Sequence, residues 1–262
     1  MDFMRIDSSV FCPHSFGSLL TERDVHELVP GLCVVCEELC FLQAASSLDA
    51  LRLSELGYKL CGMYETSLSH DGSLGFTSRP PLTSRSSIQL YLEQHAGFKG
   101  VKKARKALAR VRDHSRSPME TALAMMICLP RRLGGLGYRG IDMNVRIEIP
   151  EHLRTITTSN HLEVDIYAAQ KHIGIEYDGE VHAPAQQRAR DAERHTVLAA
   201  LGIRTHVITR VQFSEQLALH RALNAVALDL NIPVDSSAAF QDAQNKLRLH
   251  FIREWKRANG SE

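Results

Sequence analysis

The sequence predicts an α/β (α+β) protein in which a helix, three strands, a second helix and a fourth strand form a mixed sheet flanked by helices. Residues 162–178 contain two runs of alternating apolar residues, which is typical of half-buried strands. Ser117, Pro118 and Glu120 together match the start of a helix. A smaller, mostly helical N-terminal domain and C-terminal helices complete the predicted architecture.

The first 115 residues are expected to be mostly helical. Residues 36–64 have apolar side chains at helical spacing and predict one or two helices. Residues 69–87 concentrate Gly, Pro, Ser and Thr, which favours a loop with a short hairpin. Residues 87–117 predict a helical stretch that is interrupted near Gly97 and Gly100.

The remaining elements follow in order from the helix that begins at Pro118. Gly202 is placed to end the second helix of the core. The predicted strands are 144–149, 162–167, 172–178 and 203–209, and the predicted helices are 185–201, 212–230 and 238–258. These elements suggest three parts, at 1–115, 116–232 and 233–262.

Composition narrows the class of protein. The chain has 262 residues, of which 44% are hydrophobic and 23% charged, as in a globular protein. Its N-terminus lacks a signal-peptide pattern, and its longest apolar run, TALAMMICLP, is about half of the ~20 residues that a membrane helix needs. We therefore expect a cytoplasmic protein with no membrane partner.

Three cysteines, Cys33, Cys36 and Cys40, lie close together in the sequence. A structural zinc site usually combines two such pairs, and no second pair or paired histidines follow. We therefore interpret the thiols as small hydrophobic side chains in a reducing compartment.

A basic stripe is the strongest charge feature, although the net charge is only +1. Helical spacing predicts its four members on one face, opposite apolar residues that face the core. Either the stripe is a solvated face, or it contacts a DNA backbone; no aromatic residues are interleaved for stacking on single strands. The stripe consists of Lys99, Lys103, Lys106 and Arg110.

The acidic residues between 161 and 182 raise a chemical question. Strand alternation predicts Asp165 and Glu176 on one face, directly opposed if the turn is a two-residue turn at Gln170-Lys171. Opposed carboxylates repel each other, so a divalent ion such as Mg²⁺ or Mn²⁺ would stabilise them. The alternative is a polar strand face balanced by nearby Lys and Arg.

The same residues resemble a known family. Asp165, the turn 176–179, His182 and the helix with Asp191 and Arg194 are similar to very-short-patch-repair-related members of the PD-(D/E)XK nuclease superfamily. The resemblance covers roughly residues 115–212. It implies a restriction-endonuclease-like αβββαβ core, DNA as a partner and metal-dependent hydrolysis of phosphodiester bonds.

The resemblance also implies roles for individual residues. Asp165 and Glu176 would hold the metal, with Glu120 binding it directly or through water. Asp178 stands where the superfamily has a lysine, and His182 is the candidate replacement as acid or base. Arg194 would brace an acid or contact phosphate. Glu120 has an alternative role as a capping residue, and Arg194 one as a surface partner of Asp191.

A second resemblance concerns the N-terminal part. The segment CEELCFLQAASSL is similar to the one that closes the regulator part of AbiEi-type antitoxin proteins, although the winged-helix segment usual there is not evident. Two functions therefore remain open: a DNA nuclease, or a non-catalytic DNA-binding regulator of toxin–antitoxin type that keeps the nuclease-like fold. A homodimer is compatible with either function.

Overall fold

The structure is a computed structural model that describes residues 20–68, 74–179 and 185–258, with the side chains of 185–189 and 253–258 outside the description. The strands are β1 (Val25–Val29), β2 (Leu32–Val35), β3 (Tyr64–Leu68), β4 (Leu74–Ser78), β5 (Asp142–Glu148), β6 (His161–Ala168), β7 (Ile173–Asp178) and β8 (Arg204–Thr209). The helices are α1 (Glu37–Ala44), α2 (Ala50–Cys61), α3 (Arg85–Gln94), α4 (Val101–Leu108), α5 (Pro118–Cys128), α6 (Ala185–Ala200), α7 (Arg210–Ser214), α8 (Gln216–Asp229) and α9 (Ala238–Ala258).

The predicted mixed four-stranded sheet is confirmed. Its strand order is β5-β6-β7-β8, with β6 antiparallel to both β5 and β7. β8 runs parallel to β7, and α6 connects the two, as a parallel connection requires. From α5 onwards the order is therefore helix, three strands, helix and strand.

Short-range signals set the ends of the helices. The side chains of Ser117 and Thr209 accept hydrogen bonds from backbone N–H groups three residues ahead, so α5 and α7 begin at N-caps. Gly202 has φ +71, and its N–H donates to the carbonyl of Ala199, which ends α6 as predicted.

The structure differs from the prediction at three places. The hairpin of β1 and β2, which turns at Pro30 and Gly31 (φ +84), lies in a segment with no predicted strands. The predicted interruption near Gly97 and Gly100 is confirmed, since Gly100, at φ +95, begins α4, but α4 ends at Leu108, earlier than the predicted helical stretch. The helix predicted at 212–230 is divided into α7 and α8, since Glu215 has an extended conformation.

One large hydrophobic cluster joins the N-terminal helices to α5, the sheet and the C-terminal helices. The cluster crosses both predicted domain boundaries, near 115 and 232, and the division into three parts stays a prediction. A smaller cluster packs Leu162 and Val164 of β6 against Val197 and Leu198 of α6. Strand twist lets one row of side chains on β6 reach both clusters.

The loop after α5 is folded back against that helix. The N–H groups of Leu136 and Tyr138 donate to the carbonyls of Met126 and Ile127, at 2.8 and 2.9 Å. A Cβ atom on Gly135 would collide with the backbone carbonyl of Leu129. Only glycine therefore allows this close approach.

In the part of the chain that the structure describes, no helix combines the length and apolar composition of a membrane span.

Replacing Gly135 by Ala should lower the free energy of unfolding by about 2 kcal/mol or more, because the loop must move away from α5. Urea denaturation measures the change. Gly97→Ala is the matched control, since its added Cβ would meet nothing within 4 Å. Equal stability of the two variants would contradict the close approach at Gly135.

Candidate metal and phosphodiester site

The register of β6 and β7 brings Asp165 and Glu176 together. Ile166 pairs with Ile175, and Tyr167 pairs with Gly174. Asp165 and Glu176 are the next residue on each strand beyond the pair of Ile166 and Ile175, and alternation predicts them on one face. The connection itself was predicted wrongly: it contains a 3-10 helix, Ala169–Lys171, followed by a left-handed residue, and is not a two-residue turn.

Glu176 is the buried acid of the site, with only 9% of its surface exposed. Its Oε2 accepts a hydrogen bond from Nη1 of Arg194 at 2.5 Å. Its Oε1 is buried and has no hydrogen-bond partner in the described residues. A buried carboxylate oxygen without a partner is costly, so this atom is available to a cation or a donor that binds from outside.

Arg194 extends from α6 to the two central strands of the sheet. Besides Glu176, its guanidinium donates to the backbone carbonyl of Glu163 on β6. These bonds match the prediction that Arg194 braces an acid. The ion pair of Arg194 is with Glu176 and not with Asp191. Burial lowers the pKa of Arg194, but the nearby carboxylates raise it, and the charge of Asp191 is only one contribution to this increase.

Asp165 is partly buried beside these groups. Its Oδ2 accepts a hydrogen bond from the N–H of Tyr177 at 3.2 Å. Burial raises the pKa of Asp165 to about 6, and the negative charges of Glu120 and Glu176 add to the effect. The hydrogen bond from Tyr177 and the charge of Arg194 oppose it. The charges of two other carboxylates, Glu120 and Glu176, therefore act on Asp165.

Glu120, in the first turn of α5, has a full set of local partners. Its Oε1 accepts from Oγ of Ser117 at 3.0 Å, and its Oε2 accepts from the N–H of Arg116 at 2.9 Å and from Nδ2 of Asn144 at 2.7 Å. The bond to Ser117, the N-cap of α5, agrees with the capping role that the sequence left open, although the backbone N–H that Glu120 accepts from is that of Arg116 and not that of the N-cap. A role as a metal ligand would have to compete with them.

Three residues near the site were not among the predicted ones. Asn144 on β5 has φ +49 and links Glu120 to the carbonyl of His114. Arg116 pairs with the exposed carboxylate of Glu163. The sequence offers a signal for Asn144, since Asn adopts left-handed conformations more readily than most residues. Nothing in the sequence pattern indicates that Arg116 pairs with Glu163.

Of the two remaining predicted catalytic residues, the structure describes only Asp178. Asp178 is half-buried at the end of β7, in register with Thr209 of β8. His182 lies outside the described residues. Its predicted role as acid or base stays a prediction.

The carboxylate oxygens of this site meet some of the requirements of a divalent ion. Carboxylate oxygens are the ligands that Mg²⁺ and Mn²⁺ prefer, and Oε1 of Glu176 is a buried oxygen without a partner. Within residues 20–68, 74–179 and 185–258, no group of three or more His, Cys, Asp or Glu side chains is arranged to hold a metal. Asp165, Glu176 and Glu120 therefore do not form a three-ligand metal group, and metal binding by Asp165 and Glu176 stays a prediction.

The basic stripe does not form as predicted. Lys103 and Lys106 belong to α4, but Lys99 precedes Gly100 and Arg110 follows the end of the helix. The apolar residues opposite them are buried as predicted: Ala104, Ala107, Leu108 and Val111. DNA contact by the four basic residues stays a prediction.

The three clustered cysteines occupy different environments. Cys33 is exposed on β2, Cys36 is buried before α1, and Cys40 is partly buried within α1. Burial raises the pKa of Cys36 and Cys40, which keeps these thiols in their neutral form.

No protein-family model matches this chain, and neither a curated protein nor a solved structure is similar to it at a significant level. The function is therefore inferred from the chemistry of the site itself.

The raised pKa of Asp165 predicts a pH-dependent stability. The folded chain binds this proton more tightly than the unfolded chain, whose Asp pKa is about 3.9. The free energy of unfolding should therefore fall as the pH rises from about 4 to 6, and the loss persists above pH 6. Asp165→Asn keeps an acceptor for Tyr177 without the charge. It should exceed the parent in stability by on the order of 2 kcal/mol at pH 8, and match it at pH 4.

Denaturation in EDTA at both pH values measures the difference. Asp142→Asn, at an exposed position on β5, is the control and should show no such change with pH. A stability difference between Asp165→Asn and the parent that is the same at pH 4 and pH 8 would contradict the shift.

Arg194→Met should leave the Glu176 carboxylate buried without a counter-charge and lower the free energy of unfolding by about 2–4 kcal/mol. Arg116→Met is a matched control, because it breaks an ion pair whose side chains are 40% and 42% exposed. Its cost should be about 1 kcal/mol or less. The two variants are compared by urea denaturation at pH 8, and equal costs would argue against the buried pair.

Proposed function

We propose that the chain binds a divalent ion at Asp165 and Glu176 and hydrolyses phosphodiester bonds in DNA. The observation that carries the proposal is the buried Oε1 of Glu176, which lacks a partner although it adjoins an acid whose pKa is raised to about 6. An acid with a raised pKa beside a buried carboxylate oxygen without a partner is typical of functional sites. The order of helices and strands from α5 to β8 supports a restriction-endonuclease-like core, on which the sequence resemblance depends.

In this proposal each residue has a limited role. A Mg²⁺ or Mn²⁺ ion held there would supply polarisation of the scissile phosphate and a lower pKa for a water ligand. Asp165 and Glu176 hold the ion, and Arg194 keeps the Glu176 carboxylate oriented through Oε2. Glu120, fixed by Ser117 and Asn144, adds negative charge that increases the attraction of Asp165 for a cation. His182 remains the candidate acid or base.

A second function is a DNA-binding regulator that keeps this site without catalysis. Three observations favour it: Glu120 already has a full set of hydrogen bonds, Arg194 already pairs with one oxygen of Glu176, and Asp178 stands where the nuclease superfamily has a lysine. Metal binding and cleavage separate the two functions.

Metal binding is tested by thermal unfolding with and without Mn²⁺ at pH 8. An ion at about 100 times its Kd should stabilise the folded chain by about 2.7 kcal/mol, which raises Tm by on the order of 5 °C. Asp165→Asn should remove the response. Glu148→Gln, an exposed acid on β5, should retain it. A parent chain that does not respond to either Mg²⁺ or Mn²⁺ would contradict the metal site.

Cleavage is tested on plasmid and single-stranded DNA with Mg²⁺ or Mn²⁺. Glu176→Gln should reduce the rate by at least about 100-fold, since it removes the charge that holds the ion, whereas Glu148→Gln should cut at the parental rate. Metal binding by the parent without cleavage of either substrate would support the regulator instead.

A further inference from the structure

Three arginines form a cluster at the opposite end of α5 from Glu120. Arg110 follows α4, while Arg132 and Arg139 belong to the loop after α5. Burial lowers the pKa of Arg110, and the positive charges of Arg132 and Arg139 lower it further. Arg132 and Arg139 are therefore each close enough to Arg110 for their charges to repel its own, and we call these three residues the arginine cluster.

A buried fourth arginine fixes the backbone that carries the cluster. Arg112 is 6% exposed, and its guanidinium donates to the carbonyl of Val111 at 2.6 Å and to that of Ile141 at 2.7 Å. It also donates to the carbonyl of Arg139. One side chain thus joins the segment of Arg110 to the segment of Arg139. Because its partners are neutral carbonyls, Arg112 adds a positive charge beneath the cluster.

Capping of α5 does not explain the cluster. Basic side chains often lie near a helix C-terminus because they interact with its free carbonyls. Here backbone N–H groups already donate hydrogen bonds to carbonyls at this end of α5: Leu129 donates to Met125, Leu136 to Met126, and Tyr138 to Ile127.

Carboxylates do not neutralise the cluster either. Arg110, Arg132 and Arg139 form no ion pair with any described residue, although their neighbour Arg131 pairs with Asp235. Arg132 and Arg139 are exposed, and Arg110 is partly exposed. Unpaired like charges on a rigid frame cost free energy in the free protein, and a polyanion that bridges them would remove this cost.

We propose that the arginine cluster binds phosphate groups of a DNA backbone. Guanidinium groups suit this ligand, because they present rigid pairs of donors to phosphate oxygens. The loop that folds back on α5 holds two of the three donors in place before binding. The proposal rests on the proposed function only in naming DNA as the polyanion, and it requires neither a metal ion nor cleavage.

The test measures binding of the full chain to a fluorescent DNA duplex in EDTA, over a series of NaCl concentrations. One variant carries Arg110→Gln, Arg132→Gln and Arg139→Gln, and a second carries Lys at the same positions. The charge-matched control carries Arg23→Gln, Arg52→Gln and Arg221→Gln, all at exposed positions.

The Gln variant of the cluster should bind DNA at least about 10-fold more weakly than the control. Its slope of log K against log salt should be shallower by about 0.9 for each phosphate that the variant no longer neutralises. The Lys variant should keep most of the slope, because it keeps the charges. If the cluster variant and the control have the same affinity and slope, the proposal is wrong.

Two further arms make the result specific. In the first, inorganic phosphate replaces chloride at equal ionic strength. DNA that is bound through several of its phosphates should stay bound after this replacement. Displacement of the DNA by millimolar phosphate would show a single-anion site and overturn the proposal. If thermal unfolding shows that the triple Gln variant is misfolded, the exposed single variants Arg132→Gln and Arg139→Gln replace it, and each should reduce the slope.

Binding and cleavage can fail separately. DNA binding that depends on the cluster, without metal-dependent cleavage, would reject the nuclease and keep this inference. Cleavage by a chain whose DNA binding is insensitive to the cluster would do the reverse.

Discussion

The buried carboxylate of Glu176 is the constraint on which the rest of the site depends. A charge at this depth must be compensated, and Arg194 of α6 provides the compensation through one oxygen only. Because Arg194 also binds the carbonyl of Glu163, the same side chain holds α6 against both β6 and β7. The ion pair thus supports the crossover between β7 and β8, and it leaves the second oxygen of Glu176 open to a ligand.

The groups around Glu176 and its neighbouring acids offset only part of the repulsion between the negative charges. Glu120 is at the N-terminal turn of α5, where the helix dipole and the N–H of Arg116 stabilise negative charge. The charged form of Asp165 is stabilised less. One backbone N–H and the charge of Arg194 favour this form, whereas burial and two neighbouring acids disfavour it, so the pKa of Asp165 rises to about 6. A cation would relieve the least stabilised acid of the group, which is a physical reason to place the metal between Asp165 and Glu176.

The sequence predicted those parts of the molecule that short-range pattern controls. Alternation on β6 and β7 was sufficient to assign Asp165 and Glu176 to one face, although it left the exact register open. Ser117 and Gly202 were sufficient for the start of α5 and the end of α6. Partners between distant elements were harder to predict, because periodicity assigns a residue to a face and not to a contact. Arg194 was expected either to brace an acid or to pair with Asp191, and only the packing of α6 on the sheet selects Glu176. The prediction of one basic stripe was wrong for a local reason. Gly100 begins α4 after Lys99, so the four charges at helical spacing do not lie on one helix.

The two ends of α5 now have complementary chemistry. Its first turn holds Glu120 beside the acidic pair, and its last residues lie beneath the loop that carries Arg132 and Arg139. A helix of 11 residues is about 16 Å long, which corresponds to about five base pairs at 3.4 Å along a strand. In the proposed function, a DNA backbone held by the arginine cluster would reach the acidic pair within about half a helical turn. Attraction at one end would offset the repulsion between phosphate and carboxylates at the other, so binding would not require the metal, whereas approach of a phosphate to Asp165 and Glu176 would require it.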